Sequence, residues 1–328
     1  MTAPPLRVML CDDSPVVRSA MTRLLHADPD VRIVARVGDG LQALAALDGA
    51  IPAERAEVIL LDLEMPVMDG MTALPLLLQR EPRPIVIVAS ALTQRGAVAT
   101  MAAIRAGASD FVPKPGAAAA GLCDTTFREE LLAKVKGWAK LRRKQAVPMA
   151  CPGVRPTASF RAMPRVVCIG ASTGGPQALA GLLRRLPRQL PVPLVLVQHM
   201  PAGFTAMLAQ HLDSLGGPRI SEAAEGDVLR PGQGYFAPGD RHLLIRVNGD
   251  RLSVHLSDTP QENFCRPAVD PTLRSLATAC GPRVHAVILT GMGHDGLAGC
   301  RGGGTGGRRR LGAGRSIVGG LGHARRGL

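Results

Sequence analysis

Aromatic side chains are scarce in this chain of 328 residues, where Phe, Trp and Tyr make up 2% and apolar residues make up 46%. The hydrophobic cores must therefore be built from Val, Leu, Ile, Ala and Met, which does not favour a β-sandwich with paired aromatic rings. The length exceeds that of one typical domain and suits two. The apolar fraction is high enough for each domain to bury a core of its own.

The cysteines follow no recognisable pattern. The seven Cys residues include no Cys-x-x-Cys pair and no Cys/His cluster at zinc-site spacing, which is typical of reduced thiols in the cytosol. No apolar run reaches the roughly 18 residues of a transmembrane helix, and the first residues lack the basic and apolar regions of a signal peptide. We therefore expect a cytoplasmic protein without direct membrane insertion.

Basic residues exceed acidic ones, which gives a formal net charge of +13 at pH 7. Nearly half of this excess comes from six arginines in residues 302–328, a stretch with eleven glycines and no acidic residue. A basic balance can indicate a nucleic-acid partner. However, no helix-turn-helix pattern follows residue 165 and no predicted helix carries a basic stripe, so we expect no nucleic-acid partner.

Strand and helix patterns alternate along the first 116 residues of a predicted domain 1–124, with short apolar runs as strands and amphipathic segments as helices. Five such βα units predict a doubly wound parallel sheet covered on both faces. Residues 125–164 predict a helix, over Phe127–Leu141, followed by an exposed linker, because residues 142–164 are rich in proline and basic side chains.

A second alternation of strands and helices occupies residues 165–301 and predicts another parallel-sheet α/β domain. Within it, residues 220–258 carry the turn sequences Pro231-Gly232 and Asn248-Gly249, which favour a small insertion of short antiparallel strands. The expected fold class is therefore α/β, with two domains.

Three aspartates and a lysine follow strands of the first predicted domain. Asp12 and Asp13 come directly after the first strand, Asp62 ends the third, and Lys114 follows the fifth. Because carboxyl ends of parallel strands meet at one edge of a sheet, we expect these side chains to lie together. Three carboxylates at one place repel each other unless a hard cation such as Mg²⁺ lies between them. Taken singly, each aspartate is equally consistent with a turn or cap residue.

With the sequence Met65-Pro66-x-Met68-Asp69-Gly70 beside them, these residues resemble the response-regulator receiver domain. The resemblance implies a (βα)5 fold in which Asp62 accepts a phosphoryl group from a histidine kinase. It also implies that Asp12, Asp13 and Asp62 bind Mg²⁺, together with the backbone carbonyl of Glu64.

The same resemblance assigns two further positions of the receiver. Ser90, after the fourth strand, is expected to be the switch hydroxyl, with Ala89 as the alternative at that position. Lys114 is expected to pair with the phosphate, and the Lys114–Pro115 peptide bond is expected to be cis.

The sequence Gly170-Ala171-Ser172-Thr173-Gly174 lies between a predicted strand and a predicted helix. Such a turn presents a serine hydroxyl beside helix N–H groups that can bind an oxyanion, but it is also consistent with a phosphate cradle or an ordinary glycine-rich turn. His199 and Asp295 each follow later strands, so we expect nucleophile, base and orienting acid at one sheet edge. The chain order Ser, His, Asp excludes the α/β-hydrolase fold, in which the order is Ser, Asp, His.

Five sequence blocks follow one another in the second domain. They are Gly-Ala-Ser-Thr-Gly-Gly at 170–175, Gln-His-Met-Pro-x-Gly-Phe-Thr at 198–205, Ala-Pro-Gly-Asp-x-His at 237–242, Arg-Pro-x-Val-Asp at 266–270, and Ile-Leu-Thr-Gly-Met-Gly-x-Asp-Gly at 288–296. With these blocks in this order, the sequence resembles the chemotaxis protein-glutamate methylesterases from residue 6 to about residue 301.

The resemblance implies hydrolysis of glutamate methyl esters on methyl-accepting chemoreceptors and deamidation of receptor glutamines, without a cofactor for the hydrolysis. By it, Ser172 is the nucleophile, His199 the general base and Asp295 the residue that orients the imidazole. The oxyanion is expected to meet the N–H of Thr173 and the backbone near Met292. The unphosphorylated receiver is expected to pack over the esterase crevice, and phosphorylation is expected to loosen it.

The end of the sequence departs from the family. The Gln-x-Glu-x-Ser and Gly-Met-Pro patterns expected after Asp295 do not occur, and the Gly/Arg-rich residues 302–328 stand in their place. We interpret this tail as a shifted reading frame of a GC-rich gene, with a natural Arg/Gly low-complexity tail as the alternative. A receiver protein with an inactivated esterase, acting as a phosphoryl sink or binding module, is the alternative function.

Overall fold

The computed structural model describes residues 4–91, 93–114, 125–145, 163–291 and 294–301. The chain divides into two compact units, Met1–Lys144 and Gln145–Leu328. Within the described parts, no helix is both long and apolar enough to cross a membrane. The Lys114–Pro115 bond, Met292, most of the predicted linker and the tail 302–328 lie outside the described residues.

The first unit is a five-stranded parallel sheet in the order β2-β1-β3-β4-β5. Its strands are β1 Leu6–Cys11, β2 Val31–Val37, β3 Val58–Asp62, β4 Ile85–Ser90 and β5 Asp110–Pro113. Its helices are α1 Pro15–His26, α2 Gly40–Gly49, α3 Gly70–Leu78, α4 Gln94–Arg105 and α5 Thr125–Gln145. This architecture confirms the predicted βα alternation.

Burial explains why the central strands are apolar throughout. Every residue of β3 and β4 is buried, as expected where helices cover both faces of a parallel sheet. Helix α5 contributes to this core, because Phe127, Leu131 and Val135 recur every four residues and join the buried cluster of the sheet. The order of the strands reverses between β1 and β3, so their carboxyl ends flank the crevice where ligands bind in such sheets.

The second unit is a five-stranded parallel sheet in the order β12-β6-β7-β9-β8, with a separate antiparallel pair, β10-β11. Its strands are β6 Val166–Ala171, β7 Leu194–Gln198, β8 Arg219–Glu222, β9 Gln233–Phe236, β10 His242–Asn248, β11 Arg251–Ser257 and β12 Val284–Thr290. Its helices are α6 Gly175–Leu183, α7 Phe204–Asp213, α8 Val269–Cys280 and α9 Leu297–Arg301, and a 3₁₀ turn spans Gly281–Arg283.

One expectation for this unit is partly wrong. Only β10 and β11, joined at Asn248-Gly249, form the antiparallel pair expected over 220–258, whereas β8 and β9 extend the main sheet in parallel. Pro231-Gly232 is not a hairpin turn, because it ends a crossover that returns the chain to the start of β9. Tyr235 fixes that crossover: its hydroxyl donates to the Val228 carbonyl at 2.7 Å and accepts from the Arg230 N–H at 3.1 Å.

Candidate functional site

The turn that carries Ser172 connects β6 to α6 and is held by backbone hydrogen bonds. The Ser172 N–H donates to the Thr290 carbonyl at 2.9 Å, and the Gly175 N–H donates to the Ser172 carbonyl at 2.8 Å. Gly174 has a φ of 74°, in the left-handed region that glycine adopts without a steric penalty. The turn therefore holds the half-buried serine at the carboxyl edge of the sheet.

A continuous chain of hydrogen bonds links the three predicted side chains. Nδ1 of His199 lies 3.1 Å from Oγ of Ser172, and Nε2 of the same ring lies 2.7 Å from Oδ2 of Asp295. The three residues follow β6, β7 and β12, which are neighbours in the sheet. The carboxyl edge of the parallel sheet thus places a hydroxyl, an imidazole and a carboxylate within hydrogen-bonding distance of one another.

The start of helix α8 holds the carboxylate of Asp295. The Val269 N–H donates to Oδ2 at 2.6 Å and the Asp270 N–H donates to Oδ1 at 2.9 Å, so the positive end of the helix faces the negative charge. Burial alone would raise the pKa of Asp295, but His199 and these two N–H groups outweigh burial and hold the pKa below its ordinary value. The carboxylate is therefore charged and fixed in position.

The ionisation of His199 reflects two opposing effects. Burial favours the neutral imidazole, whereas the hydrogen bond and charge of Asp295, with a contact from Cys265, favour the protonated ring and raise the pKa of His199 above its ordinary value of 6.5. Sγ of Cys265 lies 3.3 Å from Nδ1, the same nitrogen that faces Ser172. The imidazole therefore has one anionic neighbour and two neighbours that can exchange a proton with it.

The buried amide of Gln198 links the turn that carries Ser172 to the backbone of His199. Its Nε2 donates to the Ser172 carbonyl at 2.9 Å and to the His199 carbonyl at 3.2 Å. A Cβ on Gly175 would lie 1.6 Å from Oε1 of this amide, so only glycine leaves room for it. One amide thus fixes the spacing between the two backbone segments.

The predicted oxyanion residues are only partly described. Thr173 is buried, and its carbonyl accepts from the Thr290 hydroxyl at 2.6 Å. Met292 lies outside the described residues, but the preceding Gly291 is close to the nucleophile, because a Cβ on it would lie 3.1 Å from Cβ of Ser172.

A second cluster of charged groups lies at the carboxyl edge of the first sheet. Oxygen atoms of Asp12, Asp13 and Asp62 lie within 4.8 Å of one another. Nζ of Lys114 lies 2.6 Å from Oδ2 of Asp62 and 3.1 Å from Oδ2 of Asp12. Such a cluster of carboxylate oxygens suits a hard divalent cation.

Burial and charge act in opposite directions on this cluster as well. Burial is the largest effect on Asp62 and raises the pKa of this carboxyl group, while Lys114 opposes the rise. Burial would lower the pKa of Lys114, but Asp62 and Asp12 outweigh it and raise that pKa. Lys114 is therefore held as a cation beside the buried carboxylates.

Ser90, the predicted switch residue, is the last residue of β4. Its buried hydroxyl donates to the Gly96 carbonyl at 3.0 Å. The residue paired with Asp62 across β3 and β4 is Ala89, and paired residues of parallel strands point to the same face of a sheet. Ala89 therefore lies on the face of the sheet that carries Asp62, and the Ser90 hydroxyl is bonded at the start of α4.

Comparison with known proteins identifies both units. Residues 167–303 match the family model described as CheB methylesterase, and residues 8–123 match that of the response regulator receiver domain. The protein-glutamate methylesterase/protein-glutamine glutaminase 1 of Paramagnetospirillum magneticum is 41% identical over 319 residues, covering 90% of this chain and 83% of that relative. The chain belongs to the CheB methylesterase family.

Other relatives of the chain carry similar names. The protein-glutamate methylesterase/protein-glutamine glutaminase 1 of Rhodospirillum rubrum is 44% identical over 327 residues, covering 90% of this chain and 82% of that relative. The crystal structure of the Thermotoga maritima CheB methylesterase catalytic domain has 43% sequence identity, covers 42% of this chain and 74% of that chain, and has a TM-score of 0.41. The names of the relatives do not favour the alternative of an inactivated esterase.

Three residues that position groups of the candidate site were not predicted from the sequence. Gln198, Val269 and Asp270 all lie in sequence blocks that carried the resemblance, but no chemical role was attached to them. A signal was present for Asp270, since it precedes Pro271, a residue favoured in the first turn of a helix, where N–H groups are free to bind an anion. The position of the Gln198 amide depends on two turns that meet only in the folded chain.

Proposed function

We propose that this chain is a chemotaxis methylesterase that hydrolyses glutamate methyl esters of methyl-accepting chemoreceptors and deamidates receptor glutamines. The observation that carries the proposal is the hydrogen-bonded chain from Ser172 through His199 to Asp295. It has the arrangement that nucleophilic acyl transfer requires, in which a base touches the nucleophile and a third group orients the base.

The first half of the reaction breaks the ester. Oγ of Ser172 attacks the ester carbonyl carbon, while Nδ1 of His199 takes the hydroxyl proton. The N–H of Thr173 and the backbone near Met292 stabilise the oxyanion. The same imidazole then gives its proton to the ester oxygen as the C–O bond breaks, so that methanol leaves and an acyl group stays on Ser172. When the substrate is a glutamine side chain, the proton goes to the amide nitrogen and ammonia leaves.

The second half restores the enzyme. Nδ1 of His199 takes a proton from a water molecule, which attacks the acyl group on Ser172. The glutamate carboxylate leaves and the proton returns to Oγ. Throughout, Asp295 accepts a hydrogen bond from Nε2–H, so that Nδ1 is free to act as the base and the imidazolium is stabilised.

In the receiver unit, Asp62 accepts a phosphoryl group from a histidine kinase. The residues present suit Mg²⁺, since three carboxylates converge within 4.8 Å; Asp12, Asp13 and Asp62 would hold the cation with the backbone carbonyl of Glu64. When bound, the cation neutralises charge on the phosphoryl oxygens. Lys114, already 2.6 Å from Asp62, pairs with the phosphoryl group.

Phosphorylation of Asp62 raises the rate of the esterase. We propose the boundaries 1–124 for the receiver, 125–164 for the helix and linker, and 165–301 for the esterase. For the switch position of the receiver, we propose that Ala89 faces Asp62 and that Ser90 acts through its bond to Gly96 at the start of α4.

Methanol release from methylated chemoreceptor membranes, with and without a small-molecule phosphodonor, tests both halves of the proposal. The wild-type chain should release methanol, and the phosphodonor should raise the rate. Ser172→Ala should abolish release, since the remaining groups leave no nucleophile in the turn. Asp62→Asn should keep the basal rate but lose the stimulation. Substantial release by Ser172→Ala would rule out the triad, and equal stimulation of Asp62→Asn would rule out the phosphoacceptor.

A further inference from the structure

A strained turn lies beside the triad and displays an aromatic ring. The Glu262 N–H donates to the Cys265 carbonyl at 3.1 Å, and the Cys265 N–H donates to the Glu262 carbonyl at 3.0 Å. Between them, Asn263 has a φ of 53° and Phe264 a φ of 62°, as in a type I′ turn. Glycine and asparagine are favoured at such positions, whereas a bulky residue with positive φ is a steric outlier.

The turn is anchored on both sides to catalytic side chains. The Asn263 amide donates to Oδ1 of Asp295 at 3.2 Å and to Oδ2 of Asp270 at 3.2 Å. Sγ of Cys265 lies 3.3 Å from Nδ1 of His199. Phe264 stands between these two anchors, so its backbone is held next to the triad.

A salt bridge holds the base of the turn. Nη1 of Arg274, on α8, donates to Oε1 of Glu262 at 2.7 Å, and a second nitrogen of the same guanidinium pairs with the other carboxylate oxygen. The N-terminus of α8 also binds Asp295, so the turn and the carboxylate are positioned by one helix. The turn is therefore held by side-chain contacts to α8, Asp295 and His199.

The ring itself does little for the fold. Phe264 is 70% exposed, among the most exposed large hydrophobic residues that the structure describes. The strained backbone of Phe264 thus places an exposed apolar ring beside the triad. Backbone strain that surrounding contacts impose in this way is a feature of functional sites.

We propose that Phe264 contacts the protein substrate and packs against an apolar side chain next to the glutamate methyl ester on the receptor segment. This inference rests on the proposed function. The ring contributes to binding the receptor and not to the chemistry, since none of the bond-making steps involves it. It therefore distinguishes a protein ester from a small free ester.

The test compares two substrates on the full-length chain in the presence of phosphodonor: methylated receptor membranes and p-nitrophenyl acetate. Phe264→Ala and Phe264→Gly should each raise KM for the receptor about tenfold or more, as expected for losing one buried aromatic contact. kcat on the receptor and the rate on p-nitrophenyl acetate should stay within about twofold of wild type. Phe264→Leu should recover part of the affinity.

Thermal unfolding separates this role from a structural one. Phe264→Gly should keep the Tm at or above that of the wild type, because glycine adopts a φ of 62° without strain. Val247→Ala is the matched control, since Val247 is an exposed apolar residue on β10 in the same unit; it should change neither KM nor Tm.

Three results would overturn the proposal. An unchanged KM for the receptor would show that the ring is not a contact. A parallel loss on p-nitrophenyl acetate would show that the ring supports the triad itself. A rise in the unphosphorylated rate of Phe264→Ala would assign the ring to regulation. Failure of the proposed function is distinct, since it appears as methanol release by Ser172→Ala.

Discussion

At the scale of single residues, the pair of His199 and Asp295 decides how the esterase responds to pH. In the proposed mechanism Ser172 loses its proton to a neutral imidazole, and the pKa of His199 lies above its ordinary value of 6.5. We therefore expect the acid limb of the kcat/KM profile to have its midpoint above 6.5 and the rate to rise with pH through it.

Removing the charge of Asp295 tests the cause of this shift. Asp295→Asn should move the acid limb to lower pH, because the imidazolium loses its anionic partner, and should lower the plateau about 10³- to 10⁴-fold because the tautomer is no longer fixed. Asp258→Asn, an exposed carboxylate of the same unit, should leave the limb in place. A limb that does not move in Asp295→Asn would contradict the assigned pairing.

The same pair links pH to the stability of the second unit. Because the pKa of His199 is raised in the folded chain, its protonated form stabilises the fold below the pKa of the unfolded chain. This contribution is lost as the pH rises through the folded-state pKa.

At the scale of elements, the start of α3 is built against the strand that ends in Asp62. A Cβ on Gly70 would lie 2.0 Å from the carbonyl oxygen of Asp62 and 2.8 Å from Cα of Leu63. Both atoms belong to the backbone, so rotation of a side chain cannot relieve the clash. We expect Gly70→Ala to lower the free energy of unfolding of the first unit by about 3 kcal/mol.

Urea unfolding followed by Trp138 fluorescence measures this effect. Trp138 is the single tryptophan of the chain and donates to Oδ2 of Asp110 at 3.1 Å, so its signal reports on the first unit. Gly49→Ala is the control, because a Cβ there meets nothing within 4 Å, and its change should stay within about 1 kcal/mol. Equal effects of the two substitutions would contradict the steric argument.

The elements that follow local patterns were predictable and those that depend on distant pairing were not. Strands such as β1 and β7 are short apolar runs between turn signals, and the structure has them where the pattern predicts them. Strands β8 and β9 carry equally clear turn signals, but their parallel pairing depends on a crossover fixed by the Tyr235 hydroxyl. Local signals do not distinguish such a crossover from a hairpin.

Some residues of the candidate site could likewise be predicted from the sequence and others could not. Ser172, His199 and Asp295 could be grouped because each follows a strand and the carboxyl ends of parallel strands share one edge. The choice between Ala89 and Ser90 could not be made, because a shift of one residue along a strand reverses the face to which a side chain points. The amide of Gln198 could not be found, since it bridges two turns that are far apart in sequence.

At the scale of the whole molecule, two kinds of chemistry are carried by two separate units. The carboxylate cluster and Lys114 belong to the first unit, and the Ser–His–Asp chain belongs to the second. The described residues of the esterase site supply a hydroxyl, an imidazole and a carboxylate, which are the side chains that serine-based acyl transfer uses. The need for a divalent cation should therefore be confined to the phosphorylation step.

Chelation measures this separation directly. With EDTA present, we expect the phosphodonor to lose its effect on methanol release while the basal rate stays within about twofold, because none of the steps proposed for Ser172, His199 and Asp295 uses a cation. Excess Mg²⁺ should restore the stimulation. Loss of basal release in EDTA, reversed by the cation, would contradict the assignment of the cation to the receiver.

The hydrogen bonds from the start of α8 to Asp295 have a consequence for which substitutions the enzyme can accept over evolution. Two of the groups that hold the carboxylate are main-chain amides, at 2.6 Å and 2.9 Å, and every residue except proline supplies such an amide. Replacing Val269 by any residue except proline therefore keeps the N–H group that donates to Oδ2 of Asp295. The two main-chain hydrogen bonds that hold Asp295 therefore do not depend on which side chains stand at positions 269 and 270, provided that neither residue becomes proline.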